Sequence, residues 1–285
     1  MWFTVMLYTA CLPYVILVFQ AITKHFSAKT AGNVPLFILL LLAVVYTIAC
    51  IKMKKVARGI IILAISAVIV SIIMTFETNA NKYIHIPEYV LMAWLLYHAL
   101  AIDYKGRGIL LLVFLCAAML GVVDELLQGI HPQRTYGWKD MIINAASSLI
   151  GILTLMGAKY RIEGDWAWID HLKDYQAILG AILFGGLTAV LTCIYLFEVQ
   201  VRGSFHRVYP SWLLAANGLF LASAAAAIFF FWHHRQGSGK LRPELESGTR
   251  NNHTTALLWV MCPLAVFISI NLLVMWVAVA GSEFR

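Results

Sequence analysis

The chain has 285 residues, of which only 12% are charged and 61% belong to the AVILMFWYC set. Soluble domains carry roughly 25% charged residues, and a mean hydropathy of +0.81 leaves too little polar surface to face water. Disorder, coiled coil, collagen and a soluble two-domain enzyme are excluded, and bilayer lipid is the expected solvent. The net charge of +7 comes from 21 Lys+Arg against 14 Asp+Glu; in such a chain it reads as a topology signal rather than a nucleic-acid surface.

A membrane helix needs about 20 apolar residues. Runs of that scale are predicted at 2–21, 34–51, 57–76, 84–102, 108–130, 139–157, 175–197, 209–232 and 255–280. None shows strand-like alternation, so the expected fold is an all-α polytopic transmembrane bundle of about nine spans. The first run lacks a basic leader and a small-residue cleavage site, and is expected to be a span rather than a signal peptide. The sixth run is the most polar, through Asp140, Asn144, Ser147 and Ser148. Two longer connections differ in kind. Glu163 to Asp170 joins acids to Trp166 and Trp168 and reads as an interfacial segment with an aromatic anchor. His233 to His253 holds Gly, Ser, Pro and mixed charge and reads as a loop. The expected organisation is a six-span domain at 1–157, a linker at 158–174 and a three-span bundle at 175–280, with 281–285 resembling a tag remnant. Cys11, Cys50, Cys116, Cys193 and Cys262 lie in apolar runs without metal-like spacing and are expected to be small hydrophobes.

Nine spans place the termini on opposite sides. Loops sharing the N-terminal side carry thirteen basic residues (Lys52, Lys54, Lys55, Arg58, Lys105, Arg107, Lys159, Arg161, Lys173, Arg235, Lys240, Arg242 and Arg250). The other set carries eight: Lys24, Lys29, Lys82, Arg134, Lys139, Arg202, Arg207 and Arg285. Positive charge favours the cytoplasm, so the N-terminus is expected inside.

Polar residues gather at one end of the fourth, fifth and sixth runs. Lys82, His85, Glu88 and Tyr89 open the fourth; Asp124, Glu125 and Gln128 close the fifth; His131, Gln133 and Arg134 follow; Lys139, Asp140 and Asn144 open the sixth. The i,i+3 and i,i+4 spacings His85/Glu88, His85/Tyr89, Glu125/Gln128 and Asp140/Asn144 put each pair on one helix face. Under the nine-span topology all of them fall near the extracytoplasmic interface, where three helix ends can build one pocket. A charge near a span centre costs about 2.5–3.5 kcal/mol on insertion scales, so such groups are functional candidates. The competing reading is a hydrogen-bonded clasp, with Arg134 bridging Glu125 and Asp140. Lys82, Lys139 and Asp124 could each be ordinary interfacial charges, and His98 and Asp103 solvated helix ends.

At these residues the sequence resembles the VanZ-like family of bacterial membrane proteins. The elements are Lys82, His85 and Tyr89, then Glu125 and Gln128, Pro132-Gln133-Arg134, Asp140 and Asn144, and finally Ser147 and Gly151. Asn81 stands where many members carry Asp, and Ser147 where Gly is usual; the match spans 81–151. The resemblance implies a multi-pass protein of the bacterial cytoplasmic membrane, linked to the cell envelope and to resistance to the glycopeptide teicoplanin. The leading expectation is an enzyme acting on an envelope lipid or lipid-linked glycan. His85, Glu88, Glu125 and Asp140 would be its acid–base groups, and Lys82, Tyr89, Gln128, Arg134 and Asn144 would bind substrate. No Ser or Cys nucleophile is evident. No metal ligand is assigned, although a divalent cation on His85, Glu88, Glu125 or Asp140 is chemically compatible. The alternatives are a lipid or glycopeptide binder or transporter, and a non-catalytic accessory subunit of a membrane protein partner.

Overall fold

The computed structural model describes the chain except for 105–107, 132–133, 159–165, 202–209, 238–246 and 281–285, and the side chains of 28, 199–201, 234–237 and 247–251. The basic residues Lys105, Arg107, Lys159, Arg161, Arg202, Arg207, Lys240, Arg242 and Arg285, together with Pro132, Gln133 and the acids of 163–165, lie outside the described residues, as do the side chains of Arg235 and Arg250. Among the described residues the chain is helical and has no strand: α1 (Trp2–Cys11), α2 (Val15–His25), α3 (Ala28–Lys52), α4 (Val56–Phe76), α5 (His85–Leu100), α6 (Ile109–Ile130), α7 (Trp138–Ala158), α8 (Gln176–Val201), α9 (Ser211–Gly237) and α10 (Ser247–Ala280).

Among the described residues eight helical segments are long and apolar enough to cross a membrane, with Trp2–His25 counting α1 and α2 together. Pro13, which has no N–H to donate, sits in the 3-10 turn Leu12–Tyr14 that interrupts this first segment. Large apolar side chains such as Phe37, Leu40, Ile60, Leu183 and Val279 are exposed along these helices. An outer surface of that kind suits lipid rather than water, and the protein is a multi-pass membrane protein.

The fourth predicted run, 84–102, became a different object. α5 has 16 residues, about 24 Å of helix at 1.5 Å per residue, and is not among the eight. It is the interior rod of its bundle, with Ile86, Tyr89, Met92, Ala93, Leu96 and Leu100 almost wholly buried. Its apolar pattern reflects protein neighbours rather than lipid.

The chain forms two compact units. The first comprises Met1–Leu100, Ile109–Glu125 and Gly137–Ile162; the second comprises Ala101–Gly108, Leu126–Tyr136 and Glu163–Arg285. In the first unit α5 packs most extensively on α7, with α1 and α3 on its other flanks and α4 against α7. The close crossing depends on Gly151: a Cβ there would stand 2.7 Å from the Ala93 Cβ and 2.9 Å from the Val90 carbonyl oxygen. The Ser27 hydroxyl starts α3 by accepting the Thr30 N–H at 3.0 Å. Pro87 is tolerated in α5 because it falls in the first turn, where its missing donor has no partner to lose.

The second unit builds its core from Tyr175, Ile178, Phe220, Val260 and Leu264, with Trp168 stacked on Trp259 at 5.1 Å. Trp168, expected as an interfacial anchor, is buried because the 3-10 segment Ala167–Tyr175 folds it onto α10; Trp166 is exposed. Tyr104 accepts a hydrogen bond from the Trp259 indole at 2.8 Å, and burial pushes its phenol up to about 12 against that bond. Thr188 donates to Asn271 at 3.1 Å and Asn217 to Thr192 at 3.4 Å, two buried side-chain links within this bundle. The segment expected as a loop from His233 is helical at both ends: α9 runs to Gly237 and α10 starts at Ser247. Its length lets both helices continue past their apolar windows. Among the described residues the cysteines form no disulfide.

Gly151→Ala is expected to lower unfolding stability in detergent by about 1–3 kcal/mol, the usual cost of overpacking. Gly180→Ala, where nothing lies within 4 Å of the added carbon, is expected to be neutral or to stabilise by up to about 1 kcal/mol. Equal effects of the two substitutions on thermal unfolding would show that the α5–α7 crossing does not need glycine.

Candidate functional site

The site is built at the ends of α4, α5, α6 and α7 in the first unit. Glu77 closes α4 and accepts the Asn79 N–H through Oε1 at 2.9 Å. Asn79 in turn caps the 3-10 turn Ala80–Ile84 by accepting the Asn81 N–H. This short turn sets Lys82 down between two acids, 2.8 Å from Asp140 Oδ2 and 3.8 Å from Glu77 Oε2. The cation found on Asp140 is therefore Lys82. The Asp140 side chain is 3% exposed and the Lys82 side chain 29%, so the acid is inside while the amine keeps a route to the surface.

One turn on, His85 Nδ1 lies 3.3 Å from Glu88 Oε2, both side chains buried. The expected i,i+3 pair is made. Tyr8 of α1 donates to the Glu88 backbone carbonyl at 2.9 Å, fixing this turn from outside. Tyr89, the expected i,i+4 partner of His85, donates instead to Asp124 Oδ2 at 3.2 Å. Glu125 is fully buried and accepts the Gly137 N–H at 3.2 Å. His85, Glu125 and Asp140 each offer a ligand atom, and these three atoms lie within 4.8 Å of one another. Three helices thus bring an imidazole and two carboxylates to one buried point.

Asn144 stands one turn beyond Asp140 on α7 and is fully buried. Among the described residues neither its Oδ1 nor its Nδ2 has a hydrogen-bond partner; the same holds for Asp140 Oδ1 and Glu88 Oε1. Buried orphans are rare in native proteins, and here they cluster beside the acids.

Of the residues singled out in the sequence, Lys82, His85, Glu88, Tyr89, Glu125, Asp140 and Asn144 occur together in this unit. Gln128 and Arg134 belong to the second unit, where the Arg134 guanidinium donates to Gln128 Oε1. Lys139 lies over the Phe76 ring, 5.4 Å from its centre, as an interfacial charge would. His98 and Asp103 are exposed helix-end residues. Three participants escaped sequence reasoning. Glu77 and Tyr8 sit at positions that spacing does not connect to the cluster. Gly137 was hidden by its lack of chemistry: a Cβ there would come within 2.9 Å of Asp140 Oδ2.

No family model, curated protein or solved structure matches the chain. The resemblance to the VanZ-like family rests on the residues quoted above alone.

Removal of Lys82 should harm the fold more than neutralisation of its partner. Lys82→Met leaves the buried Asp140 carboxylate without its cation, expected to cost about 1–3 kcal/mol. Asp140→Asn leaves an amine that retains water and Glu77. Thermal unfolding of both variants checks the order, and a larger loss for Asp140→Asn would contradict the assignment. Gly137→Ala is expected to disturb the same pair and to fall between them.

Proposed function

We propose that this protein is a VanZ-like membrane enzyme of the bacterial cell envelope that performs acid–base chemistry on a membrane lipid or lipid-linked glycan. The observation that carries this reading is the convergence of His85, Glu125 and Asp140 at one buried point, with Glu88 seated on the imidazole. Ionisable groups gathered inside a membrane bundle are costly to keep for architecture alone. A carboxylate on one ring nitrogen orients a histidine and supports its charged form, the arrangement used for proton transfer.

In hydrolysis, Glu125 takes a proton from the attacking water while His85 gives one to the departing oxygen. One water is consumed, and the proton then held by Glu125 returns to His85 to restore both groups. Lys82, tethered to Asp140 and partly exposed, supplies the positive charge that draws an anionic headgroup to the cluster. With α5 taken as a ninth crossing, as in the loop sets of the sequence reading, the α4–α5 connection belongs to the set with fewer basic residues, which favours the extracytoplasmic side. A link to teicoplanin resistance follows from the family resemblance, not from the cluster.

One observation favours the accessory reading. The Tyr89 hydroxyl is engaged by Asp124 and Lys82 by Asp140, internal bonds that a structural clasp would also need.

Two isosteric substitutions separate these. His85→Gln and Glu125→Gln are each expected to reduce lipid conversion at least 100-fold, the usual scale of an acid–base group, while expression and unfolding midpoint stay close to wild type. Mass spectrometry of the phospholipid and lipid-linked glycan pools in deletion and complemented strains is the readout. An unchanged pool on deletion, or loss of folding in both variants, would contradict catalysis and favour the clasp.

A further inference from the structure

The cluster invites a bound ion, and the geometry around it is specific enough to name the kind. We infer that His85, Glu125 and Asp140 form a binding site for one divalent transition cation, Mn2+ or Zn2+, with Asn144 as a fourth donor. The inference rests on the reading of this cluster as a functional site and revises its chemistry: an ion held there would take over water activation from Glu125 and leave His85 as a ligand.

The spacing comes first. Donors on one cation with bonds of about 2.1 Å stand roughly 3.4 Å apart in a tetrahedron and up to about 4.2 Å across an octahedron. The three ligand atoms lie within 4.8 Å of one another, all on buried residues from three helices. Closing them around an ion takes side-chain movement on the order of one ångström.

The surrounding groups are arranged as outer partners of a metal site. Glu88 Oε2 lies 3.3 Å from His85 Nδ1. A carboxylate at this distance orients a ligating imidazole and sets its tautomer. Gly137 N–H holds one Glu125 oxygen. Lys82 occupies Asp140 Oδ2 and leaves Oδ1 with no partner.

Asn144 supplies an independent observation. Its amide is wholly buried with both polar atoms unpartnered, one turn from Asp140 on the same face of α7. Its neighbourhood is shared with the site: a Cβ on Gly121 would contact both Asn144 and the Tyr89 ring. A buried amide carbonyl without a donor is a serviceable ligand for a hard or borderline cation. One imidazole nitrogen beside carboxylate and amide oxygens suits Mn2+ or Zn2+ better than the all-oxygen cage of Ca2+.

The test uses the full chain in lipid nanodiscs, stripped with EDTA and titrated with MnCl2, free Mn2+ being followed by electron paramagnetic resonance and ZnCl2 by competition. One saturable ion per chain is expected. Asp140→Asn and His85→Gln should each weaken binding more than tenfold, and Glu88→Gln by about 10- to 100-fold with unchanged stoichiometry. Asn144→Leu removes the orphaned amide. It should raise the metal-free unfolding midpoint yet weaken ion binding, a combination that packing alone does not give, and it decides the matter if Asp140→Asn fails to fold. Absence of saturable binding to wild type, or binding unaffected in Asn144→Leu and His85→Gln, would overturn the site. Absence of saturable binding with lipid conversion intact would overturn the ion site while leaving the acid–base reading in place. Saturable binding with an unchanged lipid pool would sink the catalytic reading and keep the ion.

Discussion

Carboxylates inside an apolar bundle must be answered from within the bundle, because no bulk water is at hand to solvate them. Asp140 is met by Lys82, Glu88 by His85, Asp124 by Tyr89 and Glu125 by the Gly137 amide. Three of these contacts join a helix end to a neighbouring element, while His85 and Glu88 share α5, so the polar groups and the helix crossings fix one another. Two of the four partners, His85 and Tyr89, come from α5, the interior rod of the bundle. That enclosure requires the close approach of α7 that Gly151 permits.

The same constraint explains the division of labour among the helices. α3 and α4 keep most of their apolar surface for lipid; their most hydrophobic stretches are only 17% and 22% buried, against 56% in α7. The outer helices therefore need no particular partners and few polar residues. The inner ones carry Asp140, Asn144, Ser147 and Ser148 on a face turned away from lipid, which is why the most polar of the predicted runs is also among the best buried.

Much of this was legible in the chain. Hydropathy alone yields the helices, because lipid imposes a length and forbids open backbone. Periodicity places His85 beside Glu88 and Asp140 beside Asn144, since a helix turn is a fixed ruler. Other features were not legible for physical reasons. The short interior α5 and a lipid-facing helix share an apolar pattern, because a protein interior and a lipid tail ask for the same side chains. Tyr8 reaches Glu88 across 80 positions of sequence, and Glu77 reaches Lys82 only through a 3-10 turn whose geometry no periodicity encodes. Trp168 has the composition of an interfacial anchor, but stacking on Trp259 drew it inward. Gly137 matters by what it lacks.

The central claim is that Glu125 and Asp140, 15 residues apart on two helices, share one buried point with His85. A double-mutant cycle on unfolding free energy, with Glu125→Gln, Asp140→Asn and both together in detergent, tests it directly. Groups this close should show a coupling of about 0.5–3 kcal/mol. Single effects that add to within about 0.5 kcal/mol would place the two carboxylates in separate surroundings and contradict the account.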